Sequence, residues 1–130
     1  MKCPCCSGFS FADCCQPFLL ETKKVETAEA LMRSRYSAYV VVNVDYIMAT
    51  THQSTRKLHD TNSIKQWAKS SKWQKLEIIS KQAGEAINVL GKVEFKAYYL
   101  DSNKRAQVHH EYSNFVKENG IWFFVDGIVV

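Results

Sequence analysis

The sequence predicts an α+β fold, helices first and an antiparallel sheet after them, with a small metal-held segment at the N-terminus. Three observations predict it. Apolar residues recur at three- and four-residue steps from Ala28 to Ala68, and beyond Ser70 the period shortens to two. All five cysteines of the 130-residue chain fall between Cys3 and Cys15.

The cysteine segment reads as C-x-C, eight intervening residues, then C-C. Cys3, Cys5, Cys14 and Cys15 can close on one tetrahedral ion, which takes four deprotonated sulfurs at about 2.3 Å. A stretch this short buries no core of its own, so an ion supplies its reason to fold. Gly8 suits the turn between the pairs, and Phe9 and Phe11 are expected to cover one side. Zinc is the expected metal, with iron as the alternative, since thiolates accept both. A disulfide framework is the competing reading. It needs an oxidising compartment, whereas the cysteine count is odd and no apolar signal segment opens the sequence. Cys6 is left over as a small residue in a turn. The segment resembles the SEC-C motif, a C-x-C-x8-C-C/H knuckle, with Ser7-Gly8 at the place of that motif's Ser-Gly. Cys6 stands where a glycine is usual, and Phe9-Ser10-Phe11-Ala12-Asp13 replaces a run that commonly carries lysines and a tyrosine.

After the knuckle, Pro17 is expected to stop any helix and to lead an extended connector anchored by Phe18 or Leu19. Thr27 is a candidate N-cap for a first long helix, with Glu29 in its first turn. Leu31, Met32, Tyr36 and Val40 form its apolar face. Arg33 and Arg35 are two positions apart, so one of them points inward. Asn43 or Asp45 caps a second short helix running to about Thr51. His52 to His59 is polar and aperiodic and reads as a loop. A third helix starts between Asp60 and Ser63 and buries Ile64, Trp67 and Ala68.

Strands follow at Trp73 to Lys81, at Gly91 to Asp101 and from Arg105 to Lys117, with Ala86 to Leu90 a short strand or a loop. Val93, Phe95, Ala97 and Tyr99 share one face. Asn119-Gly120 signals a tight hairpin into a last strand from Ile121 to Val130. Helices followed by a meander are the α+β pattern.

Composition sets the outer limits. Hydrophobic residues make up 46% and charged residues 23%, which suits one compact domain over 21–130 beside a knuckle over 1–20. No apolar run approaches the roughly 18 residues that span a bilayer, so no membrane role is expected and the cytoplasm is the expected location. A net charge of +4 is too small and too dispersed for sequence-specific nucleic-acid binding. Lys65, Lys69, Lys72 and Lys75 read as a solvated face.

The segment Thr27 to Tyr39, then Asp45-Tyr46, Thr50-Thr51-His52, Val93-Glu94-Phe95, His110-Glu111, Trp122 and Asp126-Gly127, is similar to the YchJ-type bacterial family. That resemblance implies a SEC-C knuckle joined to a nuclear-transport-factor-2-like domain, a curved antiparallel sheet wrapped around helices as a cone. Some members carry a second knuckle, which this sequence does not show. The resemblance supplies architecture and no reaction.

A cone of this kind encloses a pocket, and its candidate polar residues here are Arg33, Arg35, Tyr39, His52, His110, Glu111 and Asp126. Glu111, Ser113 and Phe115 share one strand face and His110 the other. If the first face lines the cone, Glu111 needs an arginine from the first helix, as a structural ion pair or as a general base. His52 reads as a loop or capping histidine, and Trp122, Phe123 and Phe124 as core. No nucleophile elbow or phosphate loop appears. Two functions from different classes follow. In one, the knuckle docks the cone onto a protein or ribosome-associated partner, as related knuckles are thought to do. In the other, the cone binds or transforms a small molecule through Arg35, Glu111 and Asp126. A homodimer through the outer sheet face, using Tyr98, Leu100 and Phe123 or Phe124, is a further expectation.

Overall fold

Thr27 opens the helical half as its sequence position demands. Its hydroxyl accepts from the Ala30 amide at 3.1 Å, and helix α2 runs over Ala28–Val40. Before it, in a computed structural model describing residues 1–130, lies a single helical turn α1, Gln16–Leu19. The extended connector expected at Pro17 is therefore corrected. Proline sits in the first turn of α1, where its missing amide hydrogen has no partner to lose and its fixed φ favours the helix.

Asn43 caps α3, Val44–Ala49, through a 3.0 Å bond from the Tyr46 amide. The expected loop at 52–59 instead contains a short helix α4, Gln53–Arg56, capped by the His52 ring. Asp60 caps α5, Thr61–Ser70, at its Ser63 amide. Polar composition hid α4, because a four-residue helix has no room for an apolar period.

The sheet is a four-stranded antiparallel meander in the order β1-β2-β3-β4: Lys72–Ala83, Leu90–Leu100, Ala106–Glu118 and Ile121–Val129. Residues 84–89 form the first hairpin's loop. Here Gly84 and Gly91 press together against Ala28, and a Cβ on either would clash with that helix start. Asn119 and Gly120 both have positive φ, as the tight turn requires. Register shifts interrupt β1 between Trp73 and Lys75 and between Ile78 and Ser80, and β3–β4 pairing beside Phe115. Such irregularities bend strands, which gives the sheet its curvature.

The concave face carries Leu76, Val93, Phe95, Ala97, Phe115, Trp122 and Phe124, all buried against Leu31, Met32 and Tyr36 of α2. Phe124 thus belongs to the interior and leaves the outer face to Tyr98, which bonds Glu77 at 2.8 Å beneath Lys75. Helix α2 is buried on nearly every side, Ser34, Ser37 and Ala38 included. Its weak apolar patterning follows from that position, since the sheet, α3 and the N-terminal segment all pack on it.

Candidate metal centre and the cavity of the cone

The N-terminal segment is a miniature hairpin closed by a bridge between Lys2 and Ser10. Pro4 occupies the turn closed by the Cys6 amide on the Cys3 carbonyl at 3.2 Å. Cys6 then has φ +66, the left-handed conformation that glycine takes without strain. Ser10 caps a turn of 3-10 helix over Phe11–Asp13, which delivers Cys14 and Cys15 to the start of α1. Two thiols in adjacent positions reach one point because Cys14 has an irregular backbone, φ −120 and ψ −98. Phe11 packs on the core, whereas Phe9 is 66% exposed and only borders the depression beside Cys14 and Cys15.

The Sγ atoms of Cys3, Cys5, Cys14 and Cys15 all lie within 4.8 Å of one another, with Cys5 to Cys14 at 3.6 Å and Cys14 to Cys15 at 3.9 Å. A tetrahedron with bonds of about 2.3 Å has edges of about 3.8 Å, so four thiolates in this arrangement fit one ion. All five cysteines are free of disulfides. The Cys5 thiol is drawn down to about 4, chiefly by its bond with Cys15, while that bond and burial push Cys15 up. Burial likewise raises Cys14. A bound cation would hold the four sulfurs as thiolates.

Helix α2 supports this centre directly. Arg33 donates to the Cys5 carbonyl at 2.7 Å and to Glu29 at 2.9 Å, and the Ser37 hydroxyl lies 3.6 Å from the Cys3 sulfur. Ser7 approaches the Cys14 sulfur at 3.1 Å. Cys3, Cys5 and Cys15 belong to the same buried cluster as Leu31 and Phe95, so the knuckle is seated on the domain's core.

The second feature is a cavity of about 210 Å³ between α2, α5 and the sheet. Of the seven pocket candidates, Arg35, Tyr39 and Glu111 line it. The others do not. Arg33 serves the knuckle, and His110 faces outward onto Glu94 at 2.7 Å. His52 bonds Glu118 at 2.8 Å while capping α4, and Asp126 receives a bond from the Asn114 amide at 2.8 Å outside the cavity.

The arginine partner expected for Glu111 is replaced. Its oxygens take His109 at 2.8 Å and Ser113 at 2.5 Å, and Arg35 forms no ion pair with it. Gly127, paired with Ser113 across the sheet, leaves the space that the Glu111 carboxylate fills. Burial works to raise the Glu111 carboxyl, but the bonds from His109 and Ser113 and the charge of Arg35 outweigh it and hold the group below its ordinary range. Burial, aided by Arg35, holds His59 below the usual imidazole value.

Ser113 lines the cavity beside Glu111 as its strand face implies, whereas His59 and His109 are not among the sequence candidates. Strand alternation on β3 was the signal for His109, which shares the face of Glu111 and Ser113. His59 had none, because its position depends on how the α4–α5 connection crosses the cone mouth.

Comparison with known proteins agrees with this architecture. Residues 27–127 match the family described as YchJ, middle NTF2-like domain. A UPF0225 protein of Geobacter sulfurreducens is 42% identical over 125 residues, covering 96% of this chain and 77% of that one. One from Haemophilus influenzae strain Rd is 42% identical over 128 residues, covering 98% and 78%. The solution structure of a SEC-C motif containing protein from Rhodopseudomonas palustris superposes with a TM-score of 0.90 at 38% identity, covering 100% and 99%. The crystal structure of a SEC-C motif containing protein from Psychrobacter arcticus gives 0.80 at 35%, covering 98% and 82%.

Proposed function

The chain belongs to the YchJ family, and on that premise we propose that it is a metal-dependent interaction protein, whose zinc- or iron-held knuckle docks the cone onto a protein or ribonucleoprotein partner. The observation that carries this reading is the convergence of four sulfurs within 4.8 Å. With four protein sulfurs the ion has no open position, so its contribution is fold energy and not Lewis-acid chemistry. The ion would fix Cys14 and Cys15 against the Cys3 turn, and Arg33 would hold that turn on α2.

The docking surface on this reading is the outer side of the knuckle. Phe9 stands 66% exposed there, next to the strand bridge that holds exposed Lys2. No helix is long and apolar enough to cross a membrane. A ribonucleoprotein partner suits the net charge of +4, which favours encounter with a polyanion without dictating sequence.

The test is co-sedimentation with purified ribosomes, comparing metal-loaded protein, chelated protein and a Phe9→Ser variant. Metal-dependent association that Phe9→Ser weakens is the expected result. Equal sedimentation of all three, or none by the loaded protein, would count against a ribosome-docking role.

A further inference from the structure

Arg35 brings a charge into the cone, and no carboxylate bonds to it directly. The residue is 6% exposed and takes part in none of the protein's ion pairs. Its three protein acceptors, the Ile47 carbonyl at 2.8 Å, Thr50 Oγ1 at 2.7 Å and Thr51 Oγ1 at 3.2 Å, all fall on Nη1. That edge pins α2 to the end of α3. The other edge, Nε and Nη2, bonds to no protein atom. No buried side-chain donor in the protein is left unsatisfied, so those two donors keep access to the cavity that Arg35 borders.

The carboxylate on the same wall does not take them: Glu111 bonds His109 and Ser113, and no bond joins it to Arg35. The guanidinium lies over the Phe124 ring at 4.5 Å, and its second edge, with two donors that no protein group accepts, matches a carboxylate bidentately. The remaining walls are largely aromatic, with Thr51 and His59 the polar exceptions. Tyr39, Trp67 and Trp73 pack at steep angles with centroids 5.2 to 5.7 Å apart, and Phe95 continues the surface. A volume of about 210 Å³ leaves room for one ring and a short acid group.

We propose that the cavity is a binding site for a small aromatic carboxylate, held by the Nε and Nη2 donors of Arg35 with its ring among Tyr39, Trp67 and Trp73. This goes beyond the knuckle's role and does not depend on it. Apolar walls with a few convergent polar groups are the usual build of such a site. The Glu111 charge on the same wall disfavours a second negative group on the ligand.

The test uses intact metal-loaded protein, with sodium benzoate and its uncharged match benzamide as probes. Each is titrated to about 10 mM, a range that reaches millimolar dissociation constants. Tryptophan fluorescence and amide chemical shifts are followed together. Saturable benzoate binding is expected, with shifts confined to the cavity walls and benzamide at least about tenfold weaker, a difference of the size one charge-assisted bond supplies. Ala97→Leu fills the cavity without touching Arg35 and should abolish the benzoate response. Arg35→Met, if it folds, should reduce benzoate to the level of benzamide; if it does not, the benzamide and Ala97→Leu comparisons decide. Absence of saturation, equal binding of both probes, or an unchanged benzoate response in Ala97→Leu would overturn the proposal.

Discussion

Arg33 and Arg35 stand two residues apart on α2 and serve regions held together in different ways. Arg33 reaches the knuckle, where few apolar side chains are buried and the cluster of sulfurs calls for a cation. Arg35 enters the cone, where aromatic and aliphatic packing forms the core and the guanidinium ties two helices together. Two residues advance a helix by about 200°, which is why neighbouring arginines face opposite regions. The difference teaches that stability of the cone and order in the knuckle are separable quantities joined through one helix.

Removing the metal should separate them most strongly. Chelation, or joint Cys14→Ser and Cys15→Ser substitution, is expected to lower Tm by about 10 °C or more, since a ligand held at 100 to 1,000 times its Kd contributes about 3–4 kcal/mol. The tryptophan indole resonances of Trp67 and Trp73 should keep their dispersion while the amides around Arg33 and Ser37 move. Collapse of both sets together would break the comparison.

The two arginines come next. Arg35→Met should cost about 2–4 kcal/mol in denaturant unfolding, because the Ile47 carbonyl and the Thr50 and Thr51 hydroxyls lose a buried donor. Arg33→Met should cost only about 1 kcal/mol yet weaken metal affinity by about 10-fold, as loss of a supporting contact to a ligand residue does. Equal stability costs with equal metal affinity would contradict the division of labour.

The acid limb of the stability profile sharpens it further. Glu111 is held below its ordinary carboxyl value, so the folded protein binds its proton less readily than the unfolded chain. Its contribution is therefore complete above about pH 5 and is lost as pH falls through the folded value. Wild-type protein should exceed Glu111→Gln in Tm by the most at neutral pH, with the gap closing toward pH 3.

The smallest effect concerns Cys6. Glycine accepts its positive φ freely, so Cys6→Gly should raise stability by about 0.5–1 kcal/mol with metal content unchanged. A loss of metal would assign Cys6 to the ligand set.

Much of this was legible from residues alone. The convergence of Cys3, Cys5, Cys14 and Cys15, the Thr27 cap, the Asn119-Gly120 turn and the inward face of β2 each follow from a local rule that tertiary packing does not override. The helix at Pro17 was missed because the same residue stops a helix internally and starts one at its first turn. Alternation along β3 separates His110 from Glu111 in the sequence as it does in the structure, and the same alternation brings His109 inward. Asp126 and His52 stand near the cone in sequence pattern but are turned toward Asn114 and Glu118, and only strand pairing and the path of α4 determine that. Phe9 was read as cover for the knuckle because aromatic residues in a short segment are normally its core. Here α2 takes that role, through Arg33 on the Cys5 carbonyl and Ser37 beside the Cys3 sulfur.

X-ray absorption at the metal edge of anaerobically purified protein tests the central claim most directly. About one ion per chain with four sulfur neighbours at about 2.3 Å is the expected result, and a Cys14→Ser variant should show three. Nitrogen or oxygen neighbours in the wild-type protein, or no bound metal, would contradict it.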